Sequence, residues 1–236
     1  MQMRTFNLEK EYQSIITNNN IINLMNKIHE YKGKQSYLLE TQKDSLDSLV
    51  KIAKIESTTS SNKIEGIFTT DQRIKEIVNQ KLKPKSRNEE EIAGYRDVLT
   101  LIHENYEYIN INSSVILQLH RDLYKYTSYT FGGKFKNSQN YIEETNENGE
   151  KKIRFTTLNA VETPIAIEKL CSNYNNLVNS ENYDQLILIP IFIFDFVSIH
   201  PFNDGNGRMS RLLTLLLLYK ASYLVGKYIS IEKMIE

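Results

Sequence analysis

One cysteine, four prolines and no tryptophan occur in a chain of 236 residues. The single thiol, Cys171, closes no internal disulfide, which excludes a disulfide-stapled scaffold and makes a reducing cytoplasm the expected compartment. Within its helical pattern Cys171 reads as a small buried hydrophobe. Net charge is missing as well: 29 Lys and Arg balance 29 Asp and Glu, which removes any global electrostatic argument for nucleic acid as a partner. The basic run Lys81-Leu82-Lys83-Pro84-Lys85-Ser86-Arg87 reads as a solvated loop. No membrane association is expected, because the apolar run from Leu186 to Phe194 is too short to span a bilayer and is interrupted by Pro190 and then Asp195. Nor is a signal peptide expected, since Met1-Gln2-Met3-Arg4-Thr5-Phe6 leads into charged residues. Internal repeats, heptad arrays and low-complexity tails are lacking.

What is present is helical periodicity. It recurs over roughly 7–30, 36–56, 70–82, 88–107, 113–126, 163–179, 185–199 and 207–223. Ser113 or Ser114 is the expected cap of one segment, and Thr163-Pro164 opens another with proline in its first turn. Pro190, inside an otherwise continuous pattern, predicts a kink or a late start. One segment departs from the helical rule. Gln139-Asn140-Tyr141-Ile142-Glu143 and Lys151-Lys152-Ile153-Arg154-Phe155 flank a stretch containing Asn148-Gly149, a strong hairpin signal. The expected fold class is all-α with one small β-hairpin.

Chemistry concentrates in His200-Pro201-Phe202-Asn203-Asp204-Gly205-Asn206-Gly207-Arg208 and, three residues on, Arg211. The buried apolar pattern up to Ile199 ends at Pro201, because a residue before proline is pushed out of the α region, so His200 hangs from the end of a rigid rod. Its imidazole is a candidate proton acceptor and Asp204 a candidate ligand for a hard cation. The glycine-rich turn opens the next helix, with Asn206 or Asp204 as natural caps. Its first N–H groups have no intrahelical partner and the macrodipole adds positive charge there, which suits an anion. Arg208 and Arg211 lie on one face of the first turn, where like charges oppose each other and the dipole. The site looks built to be filled by a polyanion or a carboxylate. Phe202 reads as a core anchor for the loop.

Position for position, this segment resembles the signature of the Fic-domain family, His-x-Phe-x-Asp/Glu-Gly-Asn-Gly-Arg-x-x-Arg. The resemblance implies transfer of AMP from ATP to a Ser, Thr or Tyr hydroxyl of a target protein, or of the chain itself. It implies His200 as the base, Asp204 as the holder of Mg²⁺ (or Mn²⁺), Gly205, Asn206 and Gly207 as the anion hole, and Arg208 and Arg211 as phosphate ligands. A second segment, Ser61-Asn62-Lys63-Ile64-Glu65-Gly66, resembles the inhibitory motif Ser/Thr-x-x-x-Glu-Gly/Asn of class II members. That resemblance implies an N-terminal inhibitory helix whose Glu65 pairs with Arg211 and occupies the place of the γ-phosphate. Propensity alone makes residues 57–66 a linker, since Ser57-Thr58-Thr59-Ser60-Ser61 is a poor helical stretch and Gly66 a turn or cap residue. The hairpin falls where the family carries a flap over the active site, with Gln139, Asn140, Tyr141 and Ile142 expected to align an extended target segment by strand addition. The implied division is a helical region over 1–85 carrying the inhibitory motif, and a Fic core over 86–236. Rival readings are transfer of UMP or phosphate, removal of AMP, and a non-catalytic nucleotide-binding module. A homodimer is compatible with all of them.

Overall fold

The computed structural model describes residues 7–80, 82–146 and 149–236. The start of the chain read as lacking a signal peptide (Met1 to Phe6), Lys81 of the basic run and Asn148 of the hairpin turn lie outside the described residues.

The expected first helix is two. α1 (Leu8–Ile15) ends before Asn18, whose side-chain oxygen accepts the N–H groups of Asn20 and Ile21 and so caps a new helix, α2 (Asn19–Thr41). α3 (Lys43–Ile64) follows and runs straight through the Ser/Thr stretch. The linker expectation for residues 57–66 is therefore wrong up to Ile64. Ser57, Thr58, Ser60, Ser61 and Asn62 are all buried. Five residues of this kind cost about 2–3 kcal/mol of helix propensity relative to alanine. Tertiary hydrogen bonds and close packing of small side chains outweigh that: Ser57 Oγ donates to Glu232 Oε2 at 2.7 Å and Ser61 Oγ accepts from Arg211 Nε at 2.7 Å.

α4 (Asp71–Gln80) closes a small core of Ile74, Ile77 and Val78 against Ile92 and Ala93 of α5 (Arg87–Asn105). α6 (Ser113–Leu123) is capped by Asn112, whose side chain accepts from Val115 N, rather than by Ser113 or Ser114. It crosses α5 so closely at Gly94 that a Cβ there would stand 1.9 Å from the Leu123 carbonyl oxygen. The hairpin pairs β1 (Tyr141–Thr145) with β2 (Lys151–Thr156) antiparallel, with a register irregularity between Ile142 and Glu143. At its tip Gly149 takes φ +80°, a left-handed conformation that glycine adopts without penalty.

α7 (Thr163–Asn179) carries Pro164 in its first turn, as expected. α8 (Gln185–Ile199) does not start late: Asp184 caps it by accepting from Leu186 N, and Pro190 lies inside it on an exposed side. Phe192, Phe196 and Ile199 of α8 and Leu212, Leu216 and Leu217 of α9 (Asn206–Lys220) are fully buried in the main core. The final helix, α10 (Ile231–Ile235), packs on α3. Its Glu232 is buried and accepts hydrogen bonds from Ser57 Oγ, Tyr95 Oη (3.1 Å) and Ser230 Oγ (3.1 Å). No helix among the described residues is long and apolar enough to cross a membrane.

Candidate active site

α8 ends where the sequence says it must. His200 is its C-cap in the left-handed region, φ +53°, with Pro201 next. The imidazole Nδ1 lies 3.3 Å from the Val197 carbonyl, an acceptor only, so the proton belongs on Nδ1 and the free lone pair on Nε2. Burial lowers the His200 pKa below its ordinary value. The Val197 hydrogen bond, Glu65 and Asp204 pull it back up, while Lys136 adds to the lowering. The ring is thus predominantly neutral at pH 7, the form a base requires.

The loop after His200 is held from inside. Asn206 accepts from Phe202 N at 2.9 Å and donates to the Phe202 carbonyl at 2.8 Å, so its side chain closes the loop instead of capping α9. The N-cap is Gly205, φ +81°, with no side-chain cap bond, which corrects the expectation of Asn206 or Asp204 in that role. A side chain at 205 would also collide with Tyr124, whose hydroxyl lies 2.8 Å from the position of a Cβ. Phe202 is fully buried and stacks on His120 with ring centroids 3.7 Å apart and 3° between planes. His120 Nδ1 accepts from Gly133 N at 3.0 Å, so its Nε2 carries the proton and donates to the Asp204 carbonyl at 3.0 Å. Burial pushes its pKa down to about 4, which keeps that tautomer intact at neutral pH.

Asp204 itself turns outward, 53% exposed, one carboxylate oxygen accepting from Gly205 N at 2.7 Å. Mg²⁺ is usually held by one or two carboxylates plus substrate phosphates, and a single solvent-facing carboxylate beside the uncapped N-terminus of α9 fits that donor set. Among the described residues no group of three or more His, Cys, Asp or Glu forms a metal cage, so the ion would rely on the nucleotide for its remaining ligands.

The two arginines do not share a partner. Arg208 is 1% exposed and faces inward, its Nη2 donating to Tyr124 Oη at 2.7 Å and lying 2.8 Å from Glu91 Oε2. Arg211 donates through Nε to Ser61 Oγ (2.7 Å) and through Nη2 to the Ser61 carbonyl (2.8 Å) and to Glu65 Oε1 (2.7 Å). The like-charge conflict read from the sequence is resolved by a separate carboxylate for each guanidinium. Glu65 Oε1 also lies over the first turn of α9, where a Cβ on Gly207 would come within 2.1 Å of it. The first turn of α9 therefore has a carboxylate over it, supplied by the C-cap of α3.

Breaking a buried ion pair by removing one partner costs about 3–5 kcal/mol, because the other charge is left desolvated. Glu91→Ala is expected to lower unfolding stability by that amount in urea titration, and a loss under about 1 kcal/mol would show that the pair is not what holds Arg208.

Of the residues expected on the flap, Tyr141 and Ile142 lie on β1, but Gln139 and Asn140 precede it and turn toward the protein. Gln139 Nε2 donates to the carbonyls of Asn140 and Thr157, and Asn140 Nδ2 donates to the Phe202 carbonyl at 3.0 Å. Sequence reasoning missed Glu91, His120, Tyr124 and Lys136. Glu91 is hidden in the run Glu89-Glu90-Glu91, indistinguishable by composition from a solvated first turn. His120 and Tyr124, four apart at the end of α6, signalled an aromatic face and nothing more.

Residues 110–218 match the Fic/DOC family model. The chain is 27% identical over 187 residues to the protein adenylyltransferase Fic of Nematostella vectensis, covering 74% of this chain and 39% of that protein. It is 29% identical over 127 residues to the protein of the same name from Aedes aegypti, covering 52% of this chain and 22% of that one. The chain thus spans well under half the length of these relatives. Among solved structures it is similar to a Fic domain-containing signaling protein from Bacteroides thetaiotaomicron, with a TM-score of 0.70, 24% identity and coverage of 82% and 72%. A Fic family protein from Desulfovibrio desulfuricans superposes with a TM-score of 0.74 at 22% identity, covering 92% of this chain and 62% of that one. At these identities the structures speak for the fold.

Proposed function

We propose, because the chain belongs to the Fic/DOC family through residues 110–218, that it is an autoinhibited protein adenylyltransferase using ATP. The observation that carries this reading is the free Nε2 lone pair of a neutral His200 beside the N-terminus of α9. A target hydroxyl gives its proton to Nε2 while its oxygen bonds to the α-phosphorus of ATP. The bond from that phosphorus to the β-phosphate bridging oxygen breaks, and pyrophosphate leaves. The protein's share is positioning and charge neutralisation: first-turn N–H groups of α9 and Arg211 for the phosphates, Asp204 for the metal. Mg²⁺, when bound, neutralises phosphate charge that the side chains leave uncompensated. Arg208 as a phosphate ligand requires its guanidinium to share itself between Glu91 and the nucleotide. In the conformation described, it supports the turn from beneath.

Glu65 supports the autoinhibited half of the reading, since it holds Arg211 and fills the space over Gly207 that a triphosphate needs. Residues 1–85 then act as the regulatory region and 86–236 as the transferase core. The exposed hairpin is the surface for the target, whether another protein or a second copy. The lone buried Cys171, whose pKa burial raises to about 12, suits a reducing cytoplasm.

Intact mass after incubating the Glu65→Gly chain with Mg²⁺ and ATP, UTP or GTP in turn tests the reaction. The expected increment is one or more AMP groups from ATP alone. A phosphate or UMP increment reassigns the transferred group, loss of AMP from a modified chain points to the reverse reaction, and ATP binding with no mass change on the chain or any lysate protein leaves a binding module. The same spectra under native conditions report whether the chain is a homodimer.

A further inference from the structure

Four consecutive backbone carbonyls, those of Ile199, His200, Pro201 and Phe202, lie without helical partners where α8 stops. All four accept hydrogen bonds from the segment that leads into the hairpin or from Asn206. Lys136 Nζ donates to the Ile199 carbonyl at 2.9 Å, and the Lys136 backbone N–H donates to the Pro201 carbonyl at 2.9 Å. One residue therefore grips the carbonyls of both residues that flank His200. Asn140 Nδ2 reaches the His200 carbonyl at 3.4 Å and the Phe202 carbonyl at 3.0 Å.

The remaining bonds of the same ammonium lead to the flap. Lys136 Nζ donates to Asn140 Oδ1 and Thr157 Oγ1, each at 2.9 Å, and Thr157 Oγ1 donates to the Asn140 carbonyl at 2.9 Å. Asn140 immediately precedes β1 and Thr157 immediately follows β2, so these are the two roots of the hairpin. Lys136 is 3% exposed, and no carboxylate pairs with it among the described residues. A buried ammonium satisfied only by neutral acceptors is costly, and burial lowers its pKa to about 8. A chain that needed only a scaffold bond here could make it with a neutral side chain. The groups facing His200 are Lys136 from this segment, Glu65 from α3 and Asp204 from its own loop, so Lys136 supplies the positive charge among them.

We infer that Lys136 is a positioning residue for His200, joining the roots of the β1–β2 hairpin to the carbonyls of the residues on either side of the base and holding a positive charge beside its imidazole. Target docking on the hairpin is thereby linked to the orientation of the base. The inference rests on the reading of His200 as base, and its chemistry is that of the same transfer.

The test uses Lys136→Met and Lys136→Gln in the Glu65→Gly chain, with Lys136→Arg as the charge-retaining control. A neutral side chain is expected to lower kcat by roughly ten- to a hundredfold, the scale of a misplaced reacting group, with KM for ATP unchanged. Loss of the positive neighbour raises the His200 pKa, so the acid limb of the kcat profile moves to higher pH. Lys136→Arg restores its position. NMR titration of the His200 ring reads the same shift without any transfer, since His200→Ala identifies its signal among four histidines. A His200 titration and acid limb unmoved in both neutral variants, or failure of both to fold while Lys136→Arg folds, overturns the inference in favour of a scaffold role. A shifted titration with no AMP transfer in any variant instead sinks the proposed reaction and leaves the coupling standing.

Discussion

AMP incorporation is expected to fall by about 10²–10⁴-fold when His200 is replaced by alanine, the contribution typical of a positioned base. The loss is expected in the parent and in the Glu65→Gly background alike, because a neutral Nε2 cannot be replaced by any neighbour. Among the described groups around it, Lys136 is a cation, and the carboxylates of Glu65 and Asp204 are already engaged by Arg211 and the Gly205 N–H. The substitution is clean on structural grounds. His200 already sits at φ +53°, and alanine carries the same Cβ, so the left-handed backbone costs both side chains about equally. The bond lost is the long Nδ1 contact to Val197 at 3.3 Å, which contributes little. Labelled AMP incorporation read beside a melting curve separates chemistry from folding. Transfer within threefold of the parent in a folded variant would remove His200 from the role of base.

Glu65→Gly acts in the opposite direction. Its carboxylate is bound to Arg211 at 2.7 Å, with the Glu65 side chain 34% exposed and that of Arg211 14%. A hydrogen bond to a charged group contributes about 1.5–3 kcal/mol, and partial exposure places this one toward the lower end. Since ~1.4 kcal/mol corresponds to a factor of ten, incorporation is expected to rise roughly tenfold, and further if the space over Gly207 limits the triphosphate sterically. The pH dependence carries a second signature. Glu65 raises the His200 pKa, so its removal lowers that pKa and extends activity to lower pH. Incorporation equal to the parent, with ATP binding unchanged, would show that Glu65 is not an inhibitor.

How much of this was legible in the sequence depends on the range of the interaction concerned. The rod ending at His200, the turn at Gly205 and the core anchor Phe202 were readable because proline, glycine and an aromatic act on their own neighbours. The helix through Ser57 to Ile64 was not readable from propensity, because what stabilises it comes from Glu232 and Arg211, about 150 to 175 residues away along the chain. Its recognition needed the resemblance of Ser61 and Glu65 to a known pattern. Arg208 and Arg211 were correctly placed on one helical turn, yet their environments diverge because Glu91 approaches from α5 and Glu65 from α3. Lys136 looked like one lysine among many. Its burial depends on the end of α8, which no local pattern around residue 136 encodes.

The buried carboxylate of Glu232 bears on how Arg211 can be released. Three hydroxyls converge on it, fastening the middle of α3 to the C-terminal segment, whereas the tip of α3 ends at Glu65 with Gly66 in the left-handed conformation (φ +73°). Withdrawing the whole helix would strand a desolvated charge, whereas unwinding its last turn leaves Glu232 in place and breaks the Glu65–Arg211 and Lys63–Glu236 pairs and the two bonds from Arg211 to Ser61. Fraying from the tip is therefore the lower-energy opening, a local unfolding on the microsecond scale or slower that needs no domain to swing away. On the proposed reading of Glu65 as a latch, reclosing outpaces opening, so the resting rate follows the small fraction of time that this helical turn is undone.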